Sequence, residues 1–246
     1  MKNSLLSAKN VTKTFGSIQA VQAANLSLNP NEWIAIVGGS GCGKSTFAKM
    51  VTRLETISSG DIYFNNRPIH TIPLHSFYQD VQMIFQDPLS TFSTRMTIRD
   101  YMCEPLCNFL KLSKKEAMKY ACTLLRWVHL DESLLLKYPH ELSGGQLQRI
   151  VIARAISVEP KLLICDECTS ALDMSIQQEI VQVLQDLRKK IAFSNLFITH
   201  DIHLAITLCE KIYVMHQGVF VEELQPETFF QSKHPYTQQL IEASQM

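Results

Sequence analysis

A glycine-rich run at positions 38–46 lies between an apolar segment and a segment of good helix formers. The run reads Gly-Gly-Ser-Gly-Cys-Gly-Lys-Ser-Thr, and residues 33–37 before it are all apolar. A short apolar run of this kind is typical of a buried strand, and residues 47–54 can continue as a helix. The order strand, glycine loop, helix predicts an α/β fold built around this loop.

The same run matches the pattern G-x-x-x-x-G-K-[ST], and each fixed position has a physical reason. Glycines let consecutive backbone N–H groups turn toward phosphate oxygens with no Cβ in the way. We expect Lys44 to reach the β- and γ-phosphates and the Ser45 hydroxyl to bind Mg²⁺. The positive end of the following helix adds to the attraction for an anion. The alternative, a glycine-rich turn before Lys-Ser, is disfavoured by the flanking strand and helix. The predicted nucleotide contacts are Gly38, Gly39, Ser40, Gly41, Cys42, Gly43, Lys44, Ser45 and Thr46.

Composition narrows the class of protein. The 246 residues are enough for one large domain with subdomains, and 23 basic residues balance 23 acidic ones. A chain with no net charge lacks the broad positive field of non-specific nucleic-acid binders, so we expect no nucleic-acid partner. Its apolar runs are far shorter than the roughly 18 to 20 residues that span a bilayer. Seven scattered cysteines and the absence of a signal-peptide pattern favour a reducing cytoplasm.

Two carboxylates follow a second apolar run. Residues 162–167 read Leu-Leu-Ile-Cys-Asp-Glu, which predicts a buried parallel strand ending in Asp166 and Glu167. The carboxyl ends of such strands are where α/β sheets bind ligands. We expect Asp166 to hold Mg²⁺ and Glu167, which is aimed differently, to polarise an attacking water. Cys165 and Cys168 form a C-x-x-C pair without a second pair, so we interpret them as structural.

The remaining segments also carry readable patterns. Residues 5–28 alternate as antiparallel strands do, and Phe15 within them suits either adenine stacking or the core. Residues 97–138 read as an inserted helical subdomain, in which Ser113 and Glu116 form a capping box. Residues 142–146 are predicted to open a second helix whose N-terminus faces an anion, with Ser143 as a donor. Its apolar residues are Leu147, Ile150, Val151, Ala155 and Val158. Helix 174–190 and strand 195–199 follow, and His200 at the end of that strand is placed to reach a γ-phosphate.

These motifs, taken in order, make the chain resemble the ATP-binding subunits of ABC transporters. The resemblance covers nearly the whole chain. It is carried by the phosphate loop 38–46, the Q-loop residue Gln86, the signature Leu142-Ser143-Gly144-Gly145-Gln146, the Walker B run 162–167, the D-loop Ser170-Ala171-Leu172-Asp173 and the switch histidine His200. The signature discriminates most, because other P-loop proteins lack it. Softer matches, Phe85 to Pro88, Asp173 to Gln177 and His234-Pro235-Tyr236-Thr237, resemble importers of oligopeptides, dipeptides and nickel.

The resemblance implies a fold and its boundaries. We expect a RecA-like P-loop NTPase core with an N-terminal antiparallel β subdomain and an inserted helical subdomain. The core and β subdomain would take residues 1–86 and 160–232, the helical subdomain 87–159, and a short C-terminal extension 233–246. Cys168 departs from the family pattern, which often has proline after the Asp-Glu pair.

The resemblance also implies a mechanism and partners. ATP and Mg²⁺ would be the cofactors, with Glu167, His200 and Gln86 as catalytic residues and Ser45, Gln86 and Asp166 as metal ligands. The nucleotide contacts would extend to Phe15, Ser143, Gly144, Gly145, Gln146 and Asp173. A second ATPase subunit would complete the site, two transmembrane permeases would dock on the helical subdomain, and a solute-binding protein would act indirectly. The subunit would lie on the cytoplasmic face of the membrane.

The sequence leaves the cargo open among peptides, nickel and metal chelates. A soluble ABC ATPase that acts on DNA or ribosomes is the alternative, although such proteins usually carry two fused ATPase units or a long coiled-coil insertion. A regulatory module that binds ATP without turnover would predict a replaced Glu167 or His200, and both residues are present.

Overall fold

The computed structural model describes residues 4–93, 95–170 and 173–244. Contacts between Cα atoms divide the chain into two compact units. The first unit comprises Met1–Phe77 and Ser194–Met246, and the second comprises Tyr78–Phe193. The helical subdomain predicted for residues 87–159 falls inside the second unit, which also contains strands and a further helix. The predicted subdomain boundaries stay a prediction.

The first unit opens with an antiparallel sheet of strand order β2-β1-β4-β5. Its strands are β1 (Leu6–Phe15), β2 (Ile18–Leu28), β4 (Ser59–Phe64) and β5 (Arg67–Pro68). Along β1 the apolar side chains of Leu6, Ala8 and Val11 are buried, Lys9 and Asn10 are exposed, and Ser7 and Thr12 are partly exposed. This alternation buries one face of the sheet, as the sequence predicted for residues 5–28.

A second set of strands in the first unit carries the phosphate loop. Strand β3 (Trp33–Val37) lies between β8 (Ser194–Thr199) and β9 (Lys211–His216) and is parallel to both, and β10 (Val219–Leu224) is antiparallel to β9. Every residue of β3 and β8 is buried, because parallel strands are covered on both faces. Helices α1 (Lys44–Val51), α7 (Ile202–Leu208) and α8 (Pro235–Ser244) complete this part, together with a 3₁₀ helix at Pro226–Gln231.

The second unit combines two parallel strands with a group of helices. Strands β6 (Val81–Ile84) and β7 (Leu162–Asp166) pair in parallel. Helix α2 (Leu74–Asp80) leads into the unit, and the others are α3 (Ile98–Asn108), α4 (Lys114–Trp127), α5 (Gly144–Ile156) and α6 (Met174–Lys190). The predicted bounds of α6 are confirmed. None of the helices in the described part of the chain is long and apolar enough to cross a membrane.

Three sequence predictions about helices need correction. The spacing of Val158 continued the apolar stripe and predicted that it belongs to α5. The helix ends at Ile156 instead, and residues 157–158 form a turn. The segment 97–138 is not continuously helical: α3 and α4 are followed by a 3₁₀ helix at Glu132–Leu136. Helix α1 ends at Val51, before the predicted end at residue 54. Helices α2 and α7 were not predicted, because each is only seven residues long.

The capping box of α4 is formed as predicted. The Ser113 hydroxyl accepts a hydrogen bond from the Glu116 N–H at 3.3 Å, and the Glu116 carboxylate accepts one from the Ser113 N–H at 2.9 Å. Two of the N–H groups that a helix N-terminus leaves without intrahelical acceptors are therefore satisfied.

Ser113→Ala should destabilise the second unit by about 1 kcal/mol, because an N-terminal donor of α4 loses its acceptor. For a chain of this size that loss corresponds to a fall in Tm of about 2–4 °C. Thermal unfolding followed by circular dichroism tests this. Ser113→Asp is the matched control, since it keeps an acceptor, and its Tm should stay near wild type. An unchanged Tm for Ser113→Ala would show that the cap contributes nothing.

Candidate active site

The phosphate loop connects β3 to α1 and packs tightly against its own unit on one side. Gly43, the N-cap of α1, has a φ of 110°, a backbone conformation that L side chains rarely adopt. A Cβ on Gly43 would lie 2.4 Å from the Ala20 carbonyl oxygen, and one on Gly38 would lie 2.2 Å from the Met215 carbonyl oxygen. Ser40 and Gly41 are exposed instead. The loop thus has one packed side and one open side, which suits a cradle for a bound anion.

Lys44 is buried at the start of α1, with 4% of its surface exposed. Its ammonium donates hydrogen bonds to the carbonyl oxygens of Gly38 at 2.9 Å and of Gly39 at 3.0 Å. Helix α1 has no acidic residue in its first turn and no side-chain cap. A buried cation at a helix N-terminus whose first turn carries no acidic residue is an arrangement that favours phosphate binding.

The acidic pair lies at the end of β7 in the second unit. Asp166 is buried, whereas Glu167 has a φ of 48° and turns away from the strand direction. The Gln86 amide donates to a Glu167 carboxylate oxygen at 3.1 Å and to the Ser170 hydroxyl at 3.3 Å. Ser170 in turn donates to the Glu167 carbonyl oxygen at 2.9 Å. Two of the three predicted catalytic residues, Gln86 and Glu167, are therefore in direct contact.

The signature residues form a capping box at the N-terminus of α5. The Ser143 hydroxyl accepts from the Gln146 N–H at 3.3 Å, and the Gln146 side-chain oxygen accepts from the Ser143 N–H at 3.0 Å. Ser143 and Gly144 are exposed. The Ser143 hydroxyl keeps its own proton to donate, and the Gln146 side chain stabilises the start of the helix. Arg149, one turn on, forms an ion pair with Glu179 of α6 at 3.3 Å.

Asp173 of the D-loop is the N-cap of α6. Its carboxylate accepts from the Ser175 hydroxyl at 2.7 Å and from the Ile176 N–H at 3.0 Å. The Ser175 hydroxyl, followed by the Ile176 N–H, holds the pKa of Asp173 below its usual value. Ala171 and Leu172, which belong to the same predicted D-loop, lie outside the described residues.

Phe15 and His200 are exposed in the first unit. Phe15 has 45% of its surface exposed, and the Lys13 ammonium lies 4.7 Å from the centre of its ring. Of the two interpretations that the sequence left open for Phe15, core and ring stacking, the exposure excludes the core. His200 follows β8 directly, just before Asp201, the N-cap of α7. Its position at the carboxyl end of a buried parallel strand agrees with the sequence analysis.

Comparison with known proteins places the chain in a family. A family model described as ABC transporter matches residues 21–170. The nickel import ATP-binding protein NikE of Escherichia coli O6:K15:H31 (strain 536 / UPEC) is 42% identical over 201 residues, covering 80% of this chain and 75% of NikE. The oligopeptide transport ATP-binding protein OppF of Bacillus subtilis (strain 168) is 38% identical, covering 99% of this chain and 83% of OppF. The chain belongs to the ABC transporter family.

A solved structure extends this result for the ABC subunit. The dimeric post-hydrolysis state of the ATP-binding cassette MJ0796, bound to ADP and Pi, matches with a TM-score of 0.80 and 28% identity, covering 90% of this chain and 98% of that one. The predicted α/β P-loop NTPase fold is confirmed. Membership of the family also confirms that the chain is an ATP-binding, ATP-hydrolysing subunit.

Two contacts of the ABC subunit were missed by sequence reasoning. Ser170 links Gln86 to Glu167, although the sequence analysis gave it no role beyond membership of the D-loop. The Tyr236 hydroxyl accepts a hydrogen bond from the Gly39 N–H of the phosphate loop at 2.8 Å. Only a match to His-Pro-Tyr-Thr had singled out Tyr236, and no pattern in the chain pairs it with Gly39.

Cys165 and Cys168 are both buried, which supports the structural interpretation of this pair. A side-chain hydrogen bond with Cys165, together with burial, holds the pKa of Cys168 well above its usual value. A raised pKa keeps the thiol protonated at neutral pH, and the reactive form is the thiolate.

In the native ABC subunit, Cys168 should therefore resist thiol reagents at pH 8, whereas the partly exposed Cys107 should react. Labelling with an aromatic disulfide followed by peptide mass spectrometry checks this, and labelling in urea provides the fully reactive reference. Equal rates for Cys168 and Cys107 in the folded chain would contradict the assignment.

Proposed function

We propose that this ABC subunit energises a membrane importer of peptides, nickel or metal complexes. Its relatives are named for nickel import and oligopeptide transport, and these names support that range of cargo. The observation that carries the hydrolytic role is the contact between Gln86 and Glu167, because it joins a glutamine sensor to the proposed general base. A module that binds ATP without turnover would be expected to have Glu167 or His200 replaced, and both residues are present.

Nucleotide binding is assigned to the phosphate loop, and Mg²⁺ to oxygen ligands. The proposed ligands are Ser45, Gln86 and Asp166, which offer a hydroxyl, an amide carbonyl and a carboxylate. This donor set fits Mg²⁺, a hard cation that prefers oxygen. Bound Mg²⁺ would neutralise charge on the phosphates. Phe15 would stack on the base, and its exposed ring supports that assignment.

Hydrolysis is assigned to Glu167 acting on a water molecule. The Glu167 carboxylate accepts a hydrogen bond from the Gln86 amide at 3.1 Å, and a carboxylate has two oxygens with which to accept a proton from water. Gln86 would move when the γ-phosphate binds or leaves, and His200 would contact the γ-phosphate. Asp173 would lie near the seam with a second ATPase subunit. The exposed Ser143 and Gly144 would face the nucleotide of that subunit, so neither chain alone would hold a complete site. The MJ0796 structure, a dimer, supports this arrangement.

The membrane-facing surface is assigned to the segment between Gln86 and the signature. Of its large apolar residues, Ile98, Tyr101 and Met102 are buried, and Phe92 and Met96 are partly exposed. The exposed Arg95 and Arg99 flank them. Two permeases would dock here at the cytoplasmic face of the membrane, with a solute-binding protein acting through them. Closure and reopening of the ATPase pair would drive alternating access.

Glu167→Gln should retain MgATP binding and lose ATP turnover by about a hundredfold or more, because the general base is removed. The measurement is phosphate release by the purified subunit together with its ATPase and permease partners. Glu227→Gln is the matched control, since Glu227 is an exposed acid in the 3₁₀ helix at Pro226–Gln231 and lies outside the site. Turnover close to wild type in Glu167→Gln would contradict the general-base assignment.

Cysteine crosslinking tests the membrane partner. Single cysteines at Thr91, Arg95 and Arg99, in a background without other reactive thiols, should crosslink to a co-expressed permease and give products that depend on nucleotide. A cysteine at Glu227 is the control and should give none. If no position in the segment crosslinks while the subunit co-purifies with DNA or ribosomes, the soluble alternative replaces the transporter.

A further inference from the structure

The segment His234 to Thr237 is tied to strand β10 by a polar network. Glu222 of β10 accepts hydrogen bonds from the Ser232 hydroxyl at 2.6 Å and from the Thr237 hydroxyl. Thr237 is fully buried, and the His234 N–H donates to the Ser232 hydroxyl at 3.1 Å. These contacts fix the first turn of α8 on the first unit.

Tyr236 projects from this turn to the phosphate loop. Its ring lies against the ring of His216, with 3.8 Å between the ring centres, and its hydroxyl accepts from the Gly39 N–H at 2.8 Å. The Gly39 N–H belongs to the same peptide group as the Gly38 carbonyl. That carbonyl accepts from the Lys44 ammonium at 2.9 Å. Both polar ends of one peptide group are therefore bonded, one by Tyr236 and one by Lys44.

Tyr236 approaches the loop from its packed side. A Cβ on Gly39 would lie 3.2 Å from the Tyr236 hydroxyl oxygen, and one on Gly38 would meet the Met215 backbone at the end of β9. A Cβ on Gly41 would have nothing within 4 Å. Since His216 follows Met215, the tyrosine, its ring partner and β9 all lie behind the loop, away from the open side that suits phosphate.

We propose that Tyr236 is a positioning residue for nucleotide binding, acting through the peptide group between Gly38 and Gly39. Its hydroxyl fixes the orientation of that peptide, and the Gly38 carbonyl in turn holds the Lys44 ammonium in place. This inference rests on the proposed binding of nucleotide by the phosphate loop. It gives the His-Pro-Tyr-Thr segment a role in the ATPase site, in addition to its resemblance to a subfamily.

Tyr236→Phe tests the proposal, because it removes the hydroxyl and leaves a ring to pack on His216. A neutral hydrogen bond of this kind corresponds to about three- to tenfold in affinity. We expect MgADP and MgATP to bind the full-length subunit more weakly by that factor, measured by titration calorimetry. In the assembled ATPase, KM for ATP should rise and kcat at saturation should stay unchanged, because the loop holds the phosphates equally in the ground and transition states.

Tyr213→Phe is the matched control. The Tyr213 hydroxyl also accepts from a backbone N–H, that of Ser27 at 3.3 Å, but it does not contact the loop. We expect the control to bind both nucleotides as wild type does. Thermal unfolding of both variants separates lost affinity from lost folding.

Each other outcome decides against the proposal in a distinct way. If wild type binds nucleotide and Tyr236→Phe binds equally well, the hydrogen bond does not position the loop, and the proposed function stands. Tighter binding by Tyr236→Phe would mean that the hydroxyl competes with phosphate. An equal loss of nucleotide affinity in Tyr236→Phe and Tyr213→Phe would show that the effect comes from a general loss of stability. A wild type that binds neither nucleotide would overturn the proposed function together with this inference.

Discussion

The buried ammonium of Lys44 is the group on which the rest of the proposed nucleotide site depends. A buried charge is costly unless it is hydrogen-bonded, and the carbonyl oxygens of Gly38 and Gly39 provide bonds to it. Those carbonyls converge on the ammonium because the loop folds tightly. The loop also packs closely on its own unit, where a Cβ on Gly43 would lie 2.4 Å from the Ala20 carbonyl oxygen. The loop is in turn held by β3, whose five residues are all buried. The position of Lys44 therefore depends on the apolar strand and on the glycines of the loop together.

In the second unit, the polar residues of the predicted motifs mostly bond to one another. Gln86 bonds to Glu167, and Ser143 bonds reciprocally with Gln146. Asp173 caps α6 by accepting a hydrogen bond from the Ile176 N–H. These contacts hold helix ends and loops in defined conformations, so that a ligand meets donors and acceptors already in place. Binding of ATP or of a partner subunit would then replace existing hydrogen bonds, and it would not have to order a flexible loop.

The sequence was most informative where the pattern was long or the chemistry local. The bounds of α6, the buried strand before Asp166 and the capping box at Ser113 were predictable, because each depends on neighbouring residues. The end of α5 could not be predicted, and neither could the burial of Ile98 or the partial exposure of Phe92, because tertiary packing determines them. The contact between Tyr236 and Gly39 joins residues 197 positions apart, and no periodicity encodes such a pair.

Equilibrium binding of MgATP to Lys44→Ala, beside wild type, tests the central claim most directly. Lys49→Ala is the matched control, because Lys49 lies on the same helix but is exposed. Hydrogen bonds to charged groups contribute about 1.5–3 kcal/mol, so Lys44→Ala should bind at least about tenfold more weakly while Lys49→Ala binds as wild type does. Equal affinity of Lys44→Ala and wild type would show that nucleotide binding does not depend on Lys44, and this result would contradict the role proposed for the phosphate loop.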